Sequence, residues 1–264
     1  MDRLTILAVD IGNSRVKAGL FDHDELIARS SEQSIRLTYA GEWEEFWDRL
    51  FVGAQHAVPL PNEVDQIAYS CVIPAVEATF LAWVGRQFQS IPMTKVSAAN
   101  YPYKIDYSTP ETLGPDRLAD ALGGFKRCGG ALIVVDFGTA VTLNVVDSSG
   151  TFLGGAIAPG ATLMAKALSR GTAQLPSISV DYPPSPLGKS TMESIASAAT
   201  YGLVDLVDGL IERYSAILPI PARVIATGGN GEKFSDKSRK IDEFIPNLTL
   251  EGIAEFARIG TERR

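Results

Sequence analysis

A pattern that occurs twice constrains this chain more than any other feature. Residues 4–22 read LTILAVDIGNSRVKAGLFD, and residues 131–147 read ALIVVDFGTAVTLNVVD. Each is a β-rich run ending in Asp, then a Gly-containing turn of small residues, then a second β-rich run ending in an acidic turn. The two aspartates, Asp10 and Asp136, lie about half the chain apart. A repeated half-chain predicts duplication into two lobes, and 264 residues suffice for two joined lobes but not for a multidomain machine.

The remaining pattern is that of an α/β protein. In the first half it predicts strands near 4–10, 15–21 and 26–31, a helix near 40–51, a strand near 66–71 and a helix near 75–89. The second half repeats the meander at 131–136, 140–147 and 151–158. Helices follow near 161–170 and 191–216, then a strand at 222–227 and a helix near 249–259. Trp43, Phe46, Trp47 and Leu50 share one helical face, which reads as core rather than a cofactor platform. The proline-rich stretch Ser177–Gly188 reads as an ordered loop. The boundary is expected near 125–130, dividing a lobe of residues 1–127 from one of 128–264.

Charge and composition exclude several functions. The formal net charge is −7, and the densest basic stretch, Lys233–Lys240, is interrupted by acidic residues. No basic face for a nucleic acid is expected. Nucleotides stay open, because backbone N–H groups and metal ions can hold phosphates on an acidic protein. Cys71 and Cys128 have no metal-ligand spacing and read as buried thiols of a reducing compartment. Asp2 and Arg3 lead straight into a strand-like run, and no apolar stretch is expected to approach the ~18 residues of a membrane span. A cytoplasmic protein without membrane or nucleic-acid partners is the expectation. His23 and His56, the only histidines, fall in surface-like segments, which disfavours histidine triads and zinc sites. Gly188-Lys189-Ser190 imitates the end of a P-loop, but Pro183 stands where its first glycine belongs. Gly229-Asn230-Gly231 begins a dinucleotide fingerprint, but Phe234 stands where its last glycine belongs.

Carboxylates are left as the main chemical groups. A strand ending in Asp and followed by a Gly turn presents a carboxylate and free N–H groups at one sheet edge. That suits a phosphate chain with its divalent ion. A plain hairpin with a turn aspartate explains one such turn; two in matching positions favour phosphate. In the segment Tyr107–Arg117, Pro115 reads as the first residue of a helix, with Leu118, Ala121, Leu122 and Phe125 as its buried stripe. Asp116 on that opening turn either complements the helix dipole or serves as a general base for a substrate hydroxyl. Ser190-Thr191-Met192-Glu193 matches a capping box, so capping alone could account for Thr191's place at a helix start. Gly154–Gly160 and Thr227-Gly228-Gly229 could let backbone approach a nucleotide base or sugar, or simply make tight turns.

Taken in order, these motifs resemble the type III pantothenate kinases over nearly the whole chain. Asp10-Ile11-Gly12-Asn13-Ser14 resembles that family's first phosphate loop, and Asp136-Phe137-Gly138-Thr139-Ala140 its second. Gly114-Pro115-Asp116-Arg117 resembles its G-x-D-R motif, and Gly154–Gly160 and Thr172–Pro176 also fit. Pro115, Ser190, Ala196 and Ala198 depart from the usual residues of these motifs. The resemblance implies a duplicated actin-like (ribonuclease H-like) phosphotransferase fold. It implies transfer of the ATP γ-phosphoryl group to pantothenate, the first step of coenzyme A synthesis. Asp10, Ile11, Gly12, Asn13, Ser14, Arg15, Val16 and Lys17 would hold ATP phosphates, with Asp10 serving Mg2+ and Thr139 touching ATP. Asp116 would be the base. Tyr107, Gly114, Pro115, Asp116 and Arg117 would contact pantothenate, joined by Thr191 from the second subunit of a homodimer. Asp136 would bind a monovalent cation, K+ or NH4+. A sugar kinase of the same superfamily and a non-catalytic regulator on the same fold are the alternatives. The Tyr, Thr, Leu and Pro of 107–117 speak against the first, and the intact Asp10, Asp116 and Asp136 against the second.

Overall fold

β1 (Thr5–Ile11), β2 (Arg15–Asp22) and β3 (Glu25–Gln33) form an antiparallel meander. The structure, a computed structural model, describes residues 4–52, 63–88 and 90–262. His56 and the Asp2-Arg3 opening therefore lie outside the described residues. β4 (Gln66–Cys71) adds parallel to β1, and β5 (Met93–Lys95) parallel to β4, so the order is β3-β2-β1-β4-β5. α1 (Ala40–Val52) and α2 (Pro74–Gln87) provide the crossovers. Because side chains alternate along a strand, Leu7, Val9 and Ile11 share one face of β1. They pack there with Trp43, Phe46, Trp47, Phe80 and Trp83. The Trp and Phe stripe is core, as its periodicity implies. His23 sits exposed in the β2–β3 turn.

α3 (Pro115–Cys128) closes the first half. Leu118, Ala121 and Leu122 are buried as expected, and Phe125 is half-buried against Tyr103.

The second half builds the same sheet again. β6 (Leu132–Phe137), β7 (Ala140–Val146) and β8 (Phe152–Pro159) form the antiparallel meander. β9 (Arg223–Thr227) lies parallel to β6, and β10 (Glu243–Phe244) parallel to β9, giving β10-β9-β6-β7-β8. In both sheets the first strand is central, with the second and third on one side and the fourth and fifth on the other. The duplication read from sequence is thus a duplication of topology. Two mixed sheets flanked by helices make the α/β class expected. Gly154 and Gly155 fall inside β8, beside a register shift at Val145/Val146.

α4 (Ala161–Gly171) follows β8. The helix expected over 191–216 runs from Thr191 to Ile217, as α5 (Thr191–Ser197), a π turn (Ala198–Gly202) and α6 (Leu203–Ile217). Its mean hydropathy reaches 1.3 over an 18-residue window, so by length and composition this helix could cross a membrane. That corrects the expectation that no apolar stretch approaches such a length. Half of the window is buried, and Leu203, Val204, Val207 and Ile211 pack with Ile133, Val135 and Phe137 of β6, so its apolar residues serve the core. Ser177–Gly188 contains neither helix nor strand, as expected. α7 (Gly231–Ser235), β5 and β10 were not expected, being too short to show a period.

α8 (Leu248–Glu262) packs on β1 and β4, although sequence order groups it with the second half. The compact units are accordingly residues 1–126 with 248–264, and residues 127–247. α8 covers the face of the first sheet opposite α1 and α2. Leu250 approaches Gly19, and Arg258 donates to the His23 carbonyl and stacks over Phe21. α3 crosses α8 at glycines: a Cβ on Gly123 would come within 2.8 Å of the Leu248 carbonyl, and one on Gly252 would overlap the Ala119 carbonyl. Thr249 Oγ1 donates to buried Asp120 across the same contact at 2.7 Å.

Candidate active site

In the first unit, Asp10 is the penultimate residue of β1 and is buried. Its register partners are Lys17 on β2 and Ser70 on β4. Residues level in register share a sheet face, so Asp10, Lys17 and Ser70 lie together on the α8 side. Ser70 Oγ is buried without a hydrogen-bond partner among the described residues.

The turn from β1 to β2 is tight. Gly12 N–H donates to the Arg15 carbonyl at 3.1 Å, and a Cβ on Gly12 would sit 3.1 Å from that oxygen. Asn13 and Ser14 stand at the tip, lining a cavity of about 410 Å³ with Arg15, Gln33 and Ile35. The Arg15 guanidinium is drawn back along β3, Nε donating to Ser31 Oγ at 2.8 Å.

α3 carries the other aspartate of this unit singled out from the sequence. Pro115 is its first residue and Asp116 its second, as the sequence implies. Arg117 N–H donates to Asp116 Oδ1 at 2.9 Å, which fixes one carboxylate oxygen and leaves Oδ2 for another proton. The carboxylate folds back over Gly114: a Cβ there would lie 2.5 Å from Asp116 Oδ1. That contact explains the glycine two residues before the aspartate. Arg117 is buried, whereas Tyr107 lies exposed in the loop before a single 3-10 turn, Pro110–Thr112.

The second unit repeats the Asp turn with one residue fewer. Asp136 is again penultimate on the central strand, level with Thr142 on β7 and Thr227 on β9. Gly138 N–H donates to the Ala140 carbonyl at 3.0 Å, matching the Gly12 bond. Thr139 is the tip of the turn. Thr227 Oγ1, like Ser70 Oγ, is buried without a hydrogen-bond partner among the described residues. Both aspartates thus have a buried hydroxyl level with them on the parallel neighbour. Neither hydroxyl was singled out for this from sequence; the available signal was a Ser or Thr near the end of each fourth strand.

This donor set fits a hard cation, which takes oxygen ligands. Among the described residues no group of three or more His, Cys, Asp and Glu could hold a metal. The oxygens level in register with Asp136 are the Thr142 and Thr227 hydroxyls. In the Thr227-Gly228-Gly229 turn, Gly228 packs on Asp136 and Phe137.

Thr191 is the first residue of α5, and its side chain is exposed. The capping box is half formed. Ser190 Oγ accepts from Glu193 N–H at 3.2 Å, while the Glu193 carboxylate accepts from Lys189 N–H rather than from Ser190. Leu187 and Met192, on either side of Thr191, are 66% and 57% exposed.

The sequence profile of type III pantothenate kinases matches residues 6–213. The chain belongs to the type III pantothenate kinase family. It is 35% identical to a type III pantothenate kinase of Roseiflexus sp. (strain RS-1), over 94% of this chain and 96% of that one. It is 36% identical to one of Thermomicrobium roseum, over 94% and 95%. Among solved structures, a conserved Campylobacter jejuni protein assigned to the Baf family of transcriptional activators superposes with a TM-score of 0.59 at 18% identity, covering 97% and 99% of the two chains. Porphyromonas gingivalis acetate kinase superposes with a TM-score of 0.59 at 11% identity, again over 97% and 99%. At these identities the superpositions speak for the fold alone, the duplicated phosphotransferase architecture that the sequence implied.

Proposed function

We propose that this protein phosphorylates pantothenate with ATP, giving 4'-phosphopantothenate and ADP, the entry step of coenzyme A synthesis. The observation that carries the reading is that the Asp–Gly turn recurs on two sheets of the same strand order, in a chain that also has a helix opening on Gly-Pro-Asp-Arg. The family supplies the substrate.

We assign Asp10 through Lys17 to the ATP phosphates, with Asp10 serving the magnesium that accompanies ATP. In the second unit we assign Thr139 to ATP and Asp136 to a monovalent cation, K+ or NH4+. Bound cations neutralise charge on the phosphates as the reaction proceeds. Tyr107, Gly114, Pro115, Asp116 and Arg117 are assigned to pantothenate. Asp116 Oδ2 takes the proton of the terminal hydroxyl. The hydroxyl oxygen forms its bond to the γ-phosphorus while the bond to the β–γ bridging oxygen breaks, and ADP leaves with that electron pair. The fixed Oδ1 keeps the carboxylate from rotating away.

We assign Thr191 to the pantothenate site of the partner subunit in a homodimer. The exposed Leu187 and Met192 beside it support an apolar contact there. A cytoplasmic location fits the substrates.

The test is pantothenate-dependent ADP release with Mg–ATP, in matched potassium and sodium buffers. Turnover that requires pantothenate and rises with potassium is expected. Turnover indifferent to potassium removes the Asp136 assignment alone. No pantothenate-dependent turnover from folded protein overturns the function.

A further inference from the structure

Ser34 is the first residue after β3, and its side chain is only 2% exposed. It makes two hydrogen bonds to the first Asp–Gly turn. Its hydroxyl donates to the Gly12 carbonyl at 2.6 Å, and its N–H donates to the Ser14 carbonyl at 3.1 Å. Its neighbours Gln33 and Ile35 line the cavity with Asn13–Arg15. Ser34 alone of the three turns inward, behind the turn.

In a trans peptide the carbonyl and the following N–H point in opposite directions. Holding the Gly12 carbonyl against Ser34 therefore aims the Asn13 N–H away from Ser34. Holding the Ser14 carbonyl there does the same for the peptide plane leading into Arg15. We infer that Ser34 is a positioning residue of the first phosphate loop, setting the peptide planes whose N–H groups receive the ATP phosphates. The inference rests on the phosphate role proposed above for Asp10–Lys17.

The duplication supplies an independent comparison. Gly160 is the first residue after β8, the counterpart of β3 in the second sheet. Its N–H donates to the Thr139 carbonyl at 2.9 Å, as Ser34 N–H donates to Ser14. A Cβ on Gly160 would come within 2.5 Å of the Gly138 carbonyl, the equivalent of the oxygen that Ser34 hydroxyl holds. Each half thus pins its turn from behind with the residue that follows its third strand. One half uses a hydroxyl and the other direct backbone packing, so the brace belongs to the turn rather than to local sequence.

The test compares Ser34→Ala, which removes the hydroxyl, with Ser34→Thr, which keeps it. Mg–ATP binding is measured by calorimetry, and the KM values for ATP and pantothenate by steady-state turnover. Ser34→Ala is expected to weaken ATP binding and raise its KM by about tenfold, the effect of one lost hydrogen bond, with the KM for pantothenate unchanged. Ser34→Thr should restore both ATP values. If Ser34→Ala fails to fold, Ser34→Cys keeps the volume with a much weaker donor and takes its place. Wild-type ATP binding in the Ala or Cys variant overturns the inference. So does a parallel rise in both KM values with no rescue by Thr, the mark of a merely structural role. Wild-type protein that binds Mg–ATP without pantothenate-dependent turnover would overturn the substrate and leave the Ser34 comparison to be read by calorimetry.

Discussion

Gly228 lies directly against Asp136: a Cβ on Gly228 would overlap Asp136 Oδ1 and come within 2.7 Å of Phe137 N. Its φ of +96° is also one that side-chain-bearing residues avoid. The end of β9 therefore reaches the carboxylate only because residue 228 is glycine. Gly228→Ala should cost about 2–4 kcal/mol, from strain and the forced displacement of Asp136. It should also abolish potassium stimulation of turnover. Chemical denaturation and turnover in potassium and sodium check both; wild-type values would show that Asp136 can move freely.

Asp116→Asn separates chemistry from structure. The amide oxygen can still accept Arg117 N–H, so the helix opening is kept. The proposed acceptor for the substrate proton is lost. Turnover should fall by about 10²- to 10⁴-fold, with the melting temperature little changed. Single-turnover rates on the purified variant decide it, and an unchanged rate would remove Asp116 as base.

Asp147 gives an acid limb to stability. Burial alone would raise its pKa, but hydrogen bonds from Ser149 N–H (2.8 Å), Ser149 O–H (2.6 Å) and Thr151 N–H (3.0 Å) outweigh burial and hold it below the ordinary value. A carboxylate with a depressed folded pKa stabilises the fold above its unfolded pKa, about 4, and loses that contribution as pH falls through the folded value. Asp147→Asn should therefore be less stable than wild type at pH 7 by about 1 kcal/mol, and the gap should close in acid. Urea denaturation across that range measures it; a gap independent of pH would contradict the assignment.

The two cysteines should be slow nucleophiles. Burial is the main cause that pushes both thiols above their ordinary pKa; at Cys71 the charges of Glu77 and Asp10 add to it. Neither forms a disulfide. Only the thiolate is alkylated readily. Iodoacetamide at pH 7.5 should label native protein much more slowly than denatured protein, with the native rate still rising above pH 9. Mass spectrometry of the labelled peptides would expose an error at either site.

Much of this architecture was legible in the chain itself. The Asp–Gly turns, the strand and helix periods and the helix start at Pro115 are local properties. Each is written in neighbouring residues, through alternation, 3.6-residue spacing and backbone preference. Asp10, Asp116 and Asp136 could be picked out for the same reason. The assignment of α8 to the first sheet could not, because an apolar stripe records that a face is buried and not which face covers it. The partner of the Gly228 turn and the inward turn of Ser34 also depend on contacts between residues far apart in sequence. Local pattern determined which elements form and where the three aspartates fall on them; long-range packing decided what holds them in place.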